Sequence, residues 1–228
     1  MRFQHKLFWS IGIGSILLLL GAFLFPGSKP NLSDLPWHLN HTSEGNLNVL
    51  GITLGKSTVV DAEARFRESS EVAIFVPNSG PISAEAFFEQ INLAGLRSKV
   101  VLTLAVSNAE SAAIAARGSR SSAIPSGKRI TPSPDDMARL RTTTISSLTL
   151  IPGVRVSEEL LVKRFGVPDL RIKEKDSEIV HHLYKKHALD IASSPSRSEK
   201  QVFQYVSPRD FAQLETPLLN SGGTVIRP

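Results

Sequence analysis

One uncharged stretch near the N-terminus constrains this chain more than any other feature. From Leu7 to Phe25 there are nineteen residues without a charge. As a helix rising about 1.5 Å per residue, the stretch would extend about 28 Å, which matches the hydrocarbon core of a bilayer. We therefore predict a transmembrane helix over residues 7–25. A cleaved signal peptide and a buried core helix are the competing interpretations.

Basic residues flank this stretch unevenly. Arg2 and Lys6 precede it, whereas Lys29 is the only basic residue among the fifteen that follow. Cytoplasmic segments next to a membrane span carry the excess of Lys and Arg. The arrangement predicts a cytoplasmic leader at residues 1–6 and export of everything beyond the stretch.

The composition of the remaining chain excludes several classes of protein. Beyond Phe25 there are 24 basic and 21 acidic residues, and they are evenly spread. This excess is too small to indicate nucleic-acid binding. The chain has no cysteine, which excludes disulfides, thiolate metal sites and a lipid-modified cysteine.

Two pairs of similar segments indicate an internal duplication. Residues 58–66 and 157–165 each begin with a hydroxyl residue that can cap a helix and end in Arg-Phe. Residues 133–140 and 207–214 share Ser, Pro, Asp, Ala and Leu at matching positions, which predicts a helix start capped by Ser133 and another capped by Ser207. We predict a tether at 26–45, a first module at 46–145 with a helical insertion, a second module at 146–219 and a flexible tail at 220–228.

Residue patterns within the modules predict short elements. The second module has four alternating segments, at 170–174, 178–184, 188–192 and 201–206, which predict a meander of strands. The first module has predicted strands at 72–76 and 99–106, predicted helices at 83–91 and 107–117, and a predicted surface loop at 119–130. The expected fold class is α+β, with an N-terminal transmembrane helix followed by two related modules of short helices packed on antiparallel β-meanders.

The start of the second module carries a family resemblance. Gly153-Val154-Arg155-Val156-Ser157 leads into Leu160, Leu161, Phe165, Gly166 and Pro168. This opening resembles that of the SmpA/OmlA-type modules, which include the lipoprotein of the β-barrel assembly machinery and are similar in architecture to the β-lactamase inhibitor proteins. More loosely, the chain resembles membrane-anchored proteins of proteobacteria. Unlike those lipoproteins, it has no cysteine for a lipid anchor. The resemblance implies protein binding in the bacterial envelope without catalysis.

Three motifs that look functional have simpler explanations. Gly55-Lys56-Ser57-Thr58 lacks the earlier glycine of a nucleotide-binding loop, and a capped helix start explains the same residues. His181 and His182 would point to opposite faces of one strand, and His187 lies beyond a turn, so we expect no metal site there. His38 and His41 lie in the predicted tether. We therefore expect no cofactor, nucleotide or metal, and no catalytic residues.

These observations favour a non-enzymatic protein of the bacterial inner membrane that crosses it once. Its N-terminus would be cytoplasmic and its C-terminal region periplasmic. We expect as partners the lipid bilayer at residues 7–25 and another envelope protein, bound through a sheet face or an edge strand. The alternative is an envelope enzyme or glycan-binding module with a site between the modules. The candidate partner surface comprises Phe87, Phe88, Arg117, Arg120, Lys128, Arg129, Phe203 and Tyr205.

Overall fold

A computed structural model describes residues 35–196 and 199–226. A small three-stranded sheet comes first in the chain, with strands β1 (Asn40–His41), β2 (Leu47–Val49) and β3 (Ile52–Thr53). The strands of the main sheet are β4 (Glu71–Pro77), β5 (Ser83–Leu93), β6 (Leu96–Leu104), β7 (Arg120–Ile124), β8 (Gly127–Thr131), β9 (Ile145–Pro152), β10 (Leu170–Lys173), β11 (Val180–Tyr184), β12 (Leu189–Ser193), β13 (Val202–Val206) and β14 (Thr224–Ile226). The helices are α1 (Val59–Phe66), α2 (Asn108–Ala116), α3 (Pro134–Arg141), α4 (Glu158–Phe165) and α5 (Ala212–Asn220).

The main sheet joins both halves of the chain and corrects the predicted fold class. Its eleven strands follow the order β14-β10-β11-β12-β13-β9-β6-β5-β4-β8-β7, and every neighbouring pair is antiparallel. The prediction of two modules, each with its own meander, is wrong in this respect, because β6 of the first half pairs with β9 along its length. Strand residues outnumber helical ones, so the fold is predominantly β.

One side of the main sheet, the covered face, holds most of the core. Its side chains come from alternate residues of each strand and are buried: Val72, Ile74, Ala84, Ala86, Phe88, Val100, Leu102, Leu148, Leu150, Phe203, Tyr205, Leu189 and Ile191. Apolar side chains of the small sheet and of helices α1 to α4 belong to the same core cluster. Phe66 of α1, for example, meets Phe88 edge-on at 5.2 Å between ring centroids.

Four of the predicted helices are confirmed, with the predicted caps. Thr58 and Asp61 form a complete capping box at the start of α1. The hydroxyls of Ser107, Ser133 and Ser157 accept the expected backbone hydrogen bonds at α2, α3 and α4. At Ser207 the prediction is wrong, since a 3₁₀ turn over Pro208–Asp210 precedes α5 and the Ser207 hydroxyl makes no cap bond. The duplication itself stays a prediction.

Two predicted elements of the first module are wrong. Residues 83–91 form most of strand β5 rather than a helix, because Ala84, Ala86 and Phe88 alternate with Ser83, Glu85 and Phe87 across the sheet. Residues 119–130 fall in the hairpin of β7 and β8 rather than in a loop. Gly127 permits this hairpin, since its φ is +155° and an added Cβ would lie 2.2 Å from the carbonyl oxygen of Val76.

The predicted tail is also more ordered than expected. β14 pairs with β10, with Val225 opposite Ile172. Before it, α5 lies against the side of the sheet opposite the covered face. A Cβ added to Gly223 would be 2.6 Å from Cγ2 of Ile172 and 2.7 Å from the carbonyl oxygen of Leu218. α5 therefore covers this side of the sheet at Ile172, and we call this part of the sheet the enclosed end, although β14 at its edge is exposed.

The predicted membrane topology needs correction. Within residues 35–196 and 199–226, no helix is long and apolar enough to cross a bilayer. The described chain therefore contains no helix that supports the predicted localisation as a single-pass inner-membrane protein. The predicted segment itself, residues 7–25, lies outside the described residues, as do the leader and residues 26–34 of the predicted tether.

Candidate functional site

A broad part of the main sheet is not covered by any helix of the described chain. On the side opposite the covered face, most alternate residues from β8 to β13 are partly or fully exposed, whereas Ala73, Gly127 and Val206 are buried. We call this surface the open face. It comprises Glu71, Phe75, Glu85, Phe87, Lys99, Val101, Thr103, Arg129, Ser147, Thr149, Ile151, Val202 and Gln204. Six strands spaced about 4.8 Å apart make this face about 24 Å wide.

Strand register arranges the open face in rows. Glu71 lies opposite Phe87, which lies opposite Val101. Val101 in turn faces Thr149, and Thr149 faces Gln204. The row therefore changes from a carboxylate through apolar side chains to hydroxyl and amide groups.

Phe87 is the aromatic centre of the open face. Nζ of Lys99 lies 5.7 Å from its ring centroid and Cζ of Arg129 lies 5.3 Å from it. Each cation also pairs with a carboxylate, because Arg129 Nη1 donates to Glu71 Oε2 over 3.1 Å and Lys99 donates to Glu89. The cations above Phe87 are thus locally neutralised.

Glu85 lies on the same face, two residues before Phe87. Its carboxylate accepts a hydrogen bond of 2.7 Å from the Ser83 hydroxyl. Burial raises the pKa of the Glu85 carboxyl, although Ser83 and Arg129 act in the opposite direction. A carboxyl this poorly hydrated is uncommon on a solvent-facing sheet.

The aromatic residues of the predicted partner surface do not lie together. Phe88, Phe203 and Tyr205 are fully buried in the covered face. Tyr205 donates from Oη to the carbonyl oxygen of Pro36 over 2.8 Å, and burial raises its pKa well above 10. Only Phe87 remains available to a partner.

The predicted basic residues lie at one end of the main sheet. Arg117 makes a two-pronged ion pair with Asp136, at 2.6 and 2.8 Å, which ties the end of α2 to α3. Arg120 and Lys128 are exposed on the edge hairpin of β7 and β8. Arg129 reaches the open face. The structure therefore brings together only Phe87 and Arg129 from the predicted set.

The sequence did not predict a cluster of polar side chains around His181. His181 Nδ1 lies 2.6 Å from Asp190 Oδ2, and its Nε2 lies 3.0 Å from Glu174 Oε1. Burial lowers the pKa of His181, but both carboxylates together outweigh this effect and raise it. Neither carboxylate is close in sequence to His181; only the register of β11 with β12 and the turn before β11 brings them there. Across β11, His182 points to the covered face, as expected.

The motifs that we set aside lie in ordinary surroundings. Nζ of Lys56 lies 2.6 Å from Glu44 Oε1, and the Gly55 amide donates to the carbonyl oxygen of Ile145. In the described part of the chain, no three His, Cys, Asp or Glu residues are placed to hold a metal ion. A separate cavity of about 810 Å³ lies beside α4.

Comparison with protein-family models, with curated proteins and with solved structures finds no match for this chain. The resemblance to the SmpA/OmlA-type modules therefore stays a prediction.

Proposed function

We propose that this protein is a non-catalytic binding module whose open face contacts another protein. The observation that carries the proposal is the partial exposure of three apolar side chains on an uncovered sheet. Phe87 lies opposite Val101, and Ile151 lies diagonally from Val101 on the next strand, opposite Lys99. Antiparallel sheets with one wet side normally alternate apolar with polar residues and keep the wet side polar. An apolar strip here indicates a surface that is covered when a partner is present.

The junction between the halves favours this function over the alternative. A glycan-binding or catalytic site between the modules needs a polar cleft there. Instead, β6 and β9 pair directly, with Leu102 opposite Leu148 and Val100 opposite Leu150, all of them buried. This apolar seam leaves no room for a substrate between the halves.

The charges around Phe87 indicate which partner chemistry fits. Carboxylates and cations alternate across the open face, and the two cations nearest Phe87 are already paired. A nucleic acid would require an excess of unpaired cations. A protein surface with an apolar centre and charges of both signs is the complementary partner.

Site-specific photocrosslinking tests this function. A photoreactive phenylalanine analogue replaces Val101 on the open face or, as a control, Val162, which is exposed on α4. We expect one discrete crosslinked protein from the Val101 position, and its loss when Phe87→Ala is added. Equal crosslinking from both positions, or none from Val101, would exclude the open face as the binding surface.

A further inference from the structure

The cavity beside α4 is separate from the open face. It lies on the covered-face side, at the end of the sheet that the open face does not reach. Its walls are the start of α4, strands β10, β11 and β14, and the residues that follow β12. Six side chains define its chemistry: Glu158, Leu161, Arg171, Val180, His182 and Lys200. A volume of about 810 Å³ is within the range of sites for small organic ligands.

Hydrogen bonds hold the mouth of the cavity in place. The buried Gln201 side chain accepts from the Val156 amide over 3.0 Å. Arg155 Nη2 donates to the carbonyl oxygen of Ser194 over 2.7 Å. These two bonds fix the residues before α4 against those after β12, so the cavity does not depend on a ligand for its shape.

Arg171 has unused hydrogen-bonding capacity in this cavity. Its guanidinium carries five N–H donors, yet within the described chain it makes one hydrogen bond, from Nη2 to Glu158 Oε1 at 3.3 Å. Its Nε is fully buried and has no partner there. Because Nε has no accessible surface, a ligand in the cavity would meet the Nη atoms of this partly exposed side chain instead. A carboxylate is the usual bidentate acceptor for arginine.

His182 stands next to Arg171 across the strands and extends the polar wall. The two residues are direct partners in the register of β10 and β11. Burial, followed by the charge of Arg171, lowers the pKa of His182, so that the imidazole is neutral at pH 7. His182 has no hydrogen bond to any other described residue, which leaves one donor and one acceptor for a ligand.

The rest of the cavity combines an apolar part with polar and charged side chains. Leu161, Val180 and Ile226 line it, together with Pro152 and Val156. The cations Arg155, Arg171 and Lys200 face the carboxylates Glu158 and Glu199, which leaves an excess of one positive charge. The free amides at the start of α4 also favour a negative group.

We propose that this cavity binds a small organic monoanion, a carboxylate with an apolar body, with the carboxylate on Arg171 and the body against Leu161 and Val180. One negative charge matches the excess charge of the lining, whereas a polyanion would meet Glu158 and Glu199. This site would act independently of the open face.

Competition between two ligands of equal length tests the proposal. The probe is 8-anilinonaphthalene-1-sulfonate, followed by fluorescence, and the competitors are decanoate and decanol. We expect saturable binding of the probe and displacement by decanoate at concentrations at least about tenfold below those of decanol. Equal displacement by both compounds, or the absence of saturable binding, would overturn the proposal.

Matched variants locate the binding. Arg171→Gln should weaken decanoate binding at least about tenfold, and Val180→Trp should block it by filling the cavity. Arg209→Gln, at a side chain that is 73% exposed elsewhere, should leave it unchanged. Phe87→Ala should also leave it unchanged, which distinguishes this site from the open face. Thermal unfolding checks that each variant is folded. Decanoate binding by folded Arg171→Gln at wild-type strength would show that the proposed site is wrong.

Discussion

The side of the main sheet opposite the covered face is open to solvent at one end of the sheet and covered by a helix at the other. Between β8 and β13 it forms the open face, where Phe87 and Val101 are partly exposed to solvent. At β10 and β11, α5 lies on it, and Ile172 and Leu183 are fully buried. The open end has two solvated ion pairs on its surface, whereas the enclosed end has His181 between Asp190 and Glu174.

This difference shows where polar side chains contribute to stability in this fold. A charged group under a helix has lost its water and needs fixed partners. The ion pairs above Phe87, Lys99 with Glu89 and Arg129 with Glu71, keep much of their water and gain little from their partners. The polar residues of the enclosed end should therefore be structural, and those of the open face should be available for binding.

The largest expected effect comes from a comparison of Phe88 with Phe87, which are adjacent in sequence but lie on opposite faces of β5. Phe88→Ala removes a fully buried ring that contacts Phe66, so we expect a loss of about 3–5 kcal/mol in the free energy of unfolding. Phe87→Ala, one residue earlier but on the open face, should cost less than about 1 kcal/mol. Urea unfolding of both variants measures the difference. Similar losses would show that the open face is packed like the core.

Removal of the buried carboxylate is the next test. The Asp190 side chain is 5% exposed, and its loss leaves His181 without its closer partner. Asp190→Ala should lower the free energy of unfolding by about 3 kcal/mol. The matched Glu174→Ala, at a side chain that is 35% exposed, should cost about 1 kcal/mol or less. If Glu174→Ala lowered the free energy of unfolding more than Asp190→Ala, Asp190 would not be the main stabilising partner of His181.

The pH dependence of stability distinguishes the ends through His181. Because its pKa is raised in the folded protein, its contribution is fully present below about pH 6.5 and is lost as the pH rises through the raised pKa. Burial lowers the pKa values of His182 and His187, which act in the opposite direction. Subtracting the His181→Gln profile from that of the wild type cancels them. We expect a residual loss of the order of 1 kcal/mol between pH 6 and pH 9, measured by chemical unfolding. A residual that rises with pH would contradict the charged state of His181.

Local sequence signals predicted the helices that begin with a capping side chain. Thr58 and Ser157 mark helix starts because a hydroxyl at that position meets free amides within the next turn. Strand β5 was missed because Phe87 and Phe88 are adjacent apolar residues, and the pattern of alternation is visible only once Ala84 and Ala86 are recognised as core residues.

Contacts between distant segments could not be predicted in this way. The pairing of β6 with β9 unites the halves, yet nothing in either strand specifies its neighbour. For the same reason, the sequence grouped buried Phe203 and Tyr205 with partly exposed Phe87, since alternation shows that two faces exist but not which one is covered. At the enclosed end, the position of α5 determines that the side opposite the covered face is buried as well.

The smallest expected effect concerns the ion pairs of the open face. The side chains of Lys99 and Glu89 are 37% and 62% exposed, so solvent screens their attraction. Lys99→Ala should change the free energy of unfolding by less than about 0.5 kcal/mol, while it removes one of the two cations above Phe87 and should weaken crosslinking from position 101. Lys163→Ala, an exposed lysine on α4, controls for the loss of a surface charge. Because a structural ion pair would affect stability and a binding residue would affect crosslinking, one variant measured both ways decides which role Lys99 has. A large loss of stability with unchanged crosslinking would assign the open-face charges to the fold and remove the contrast between the two ends of the sheet.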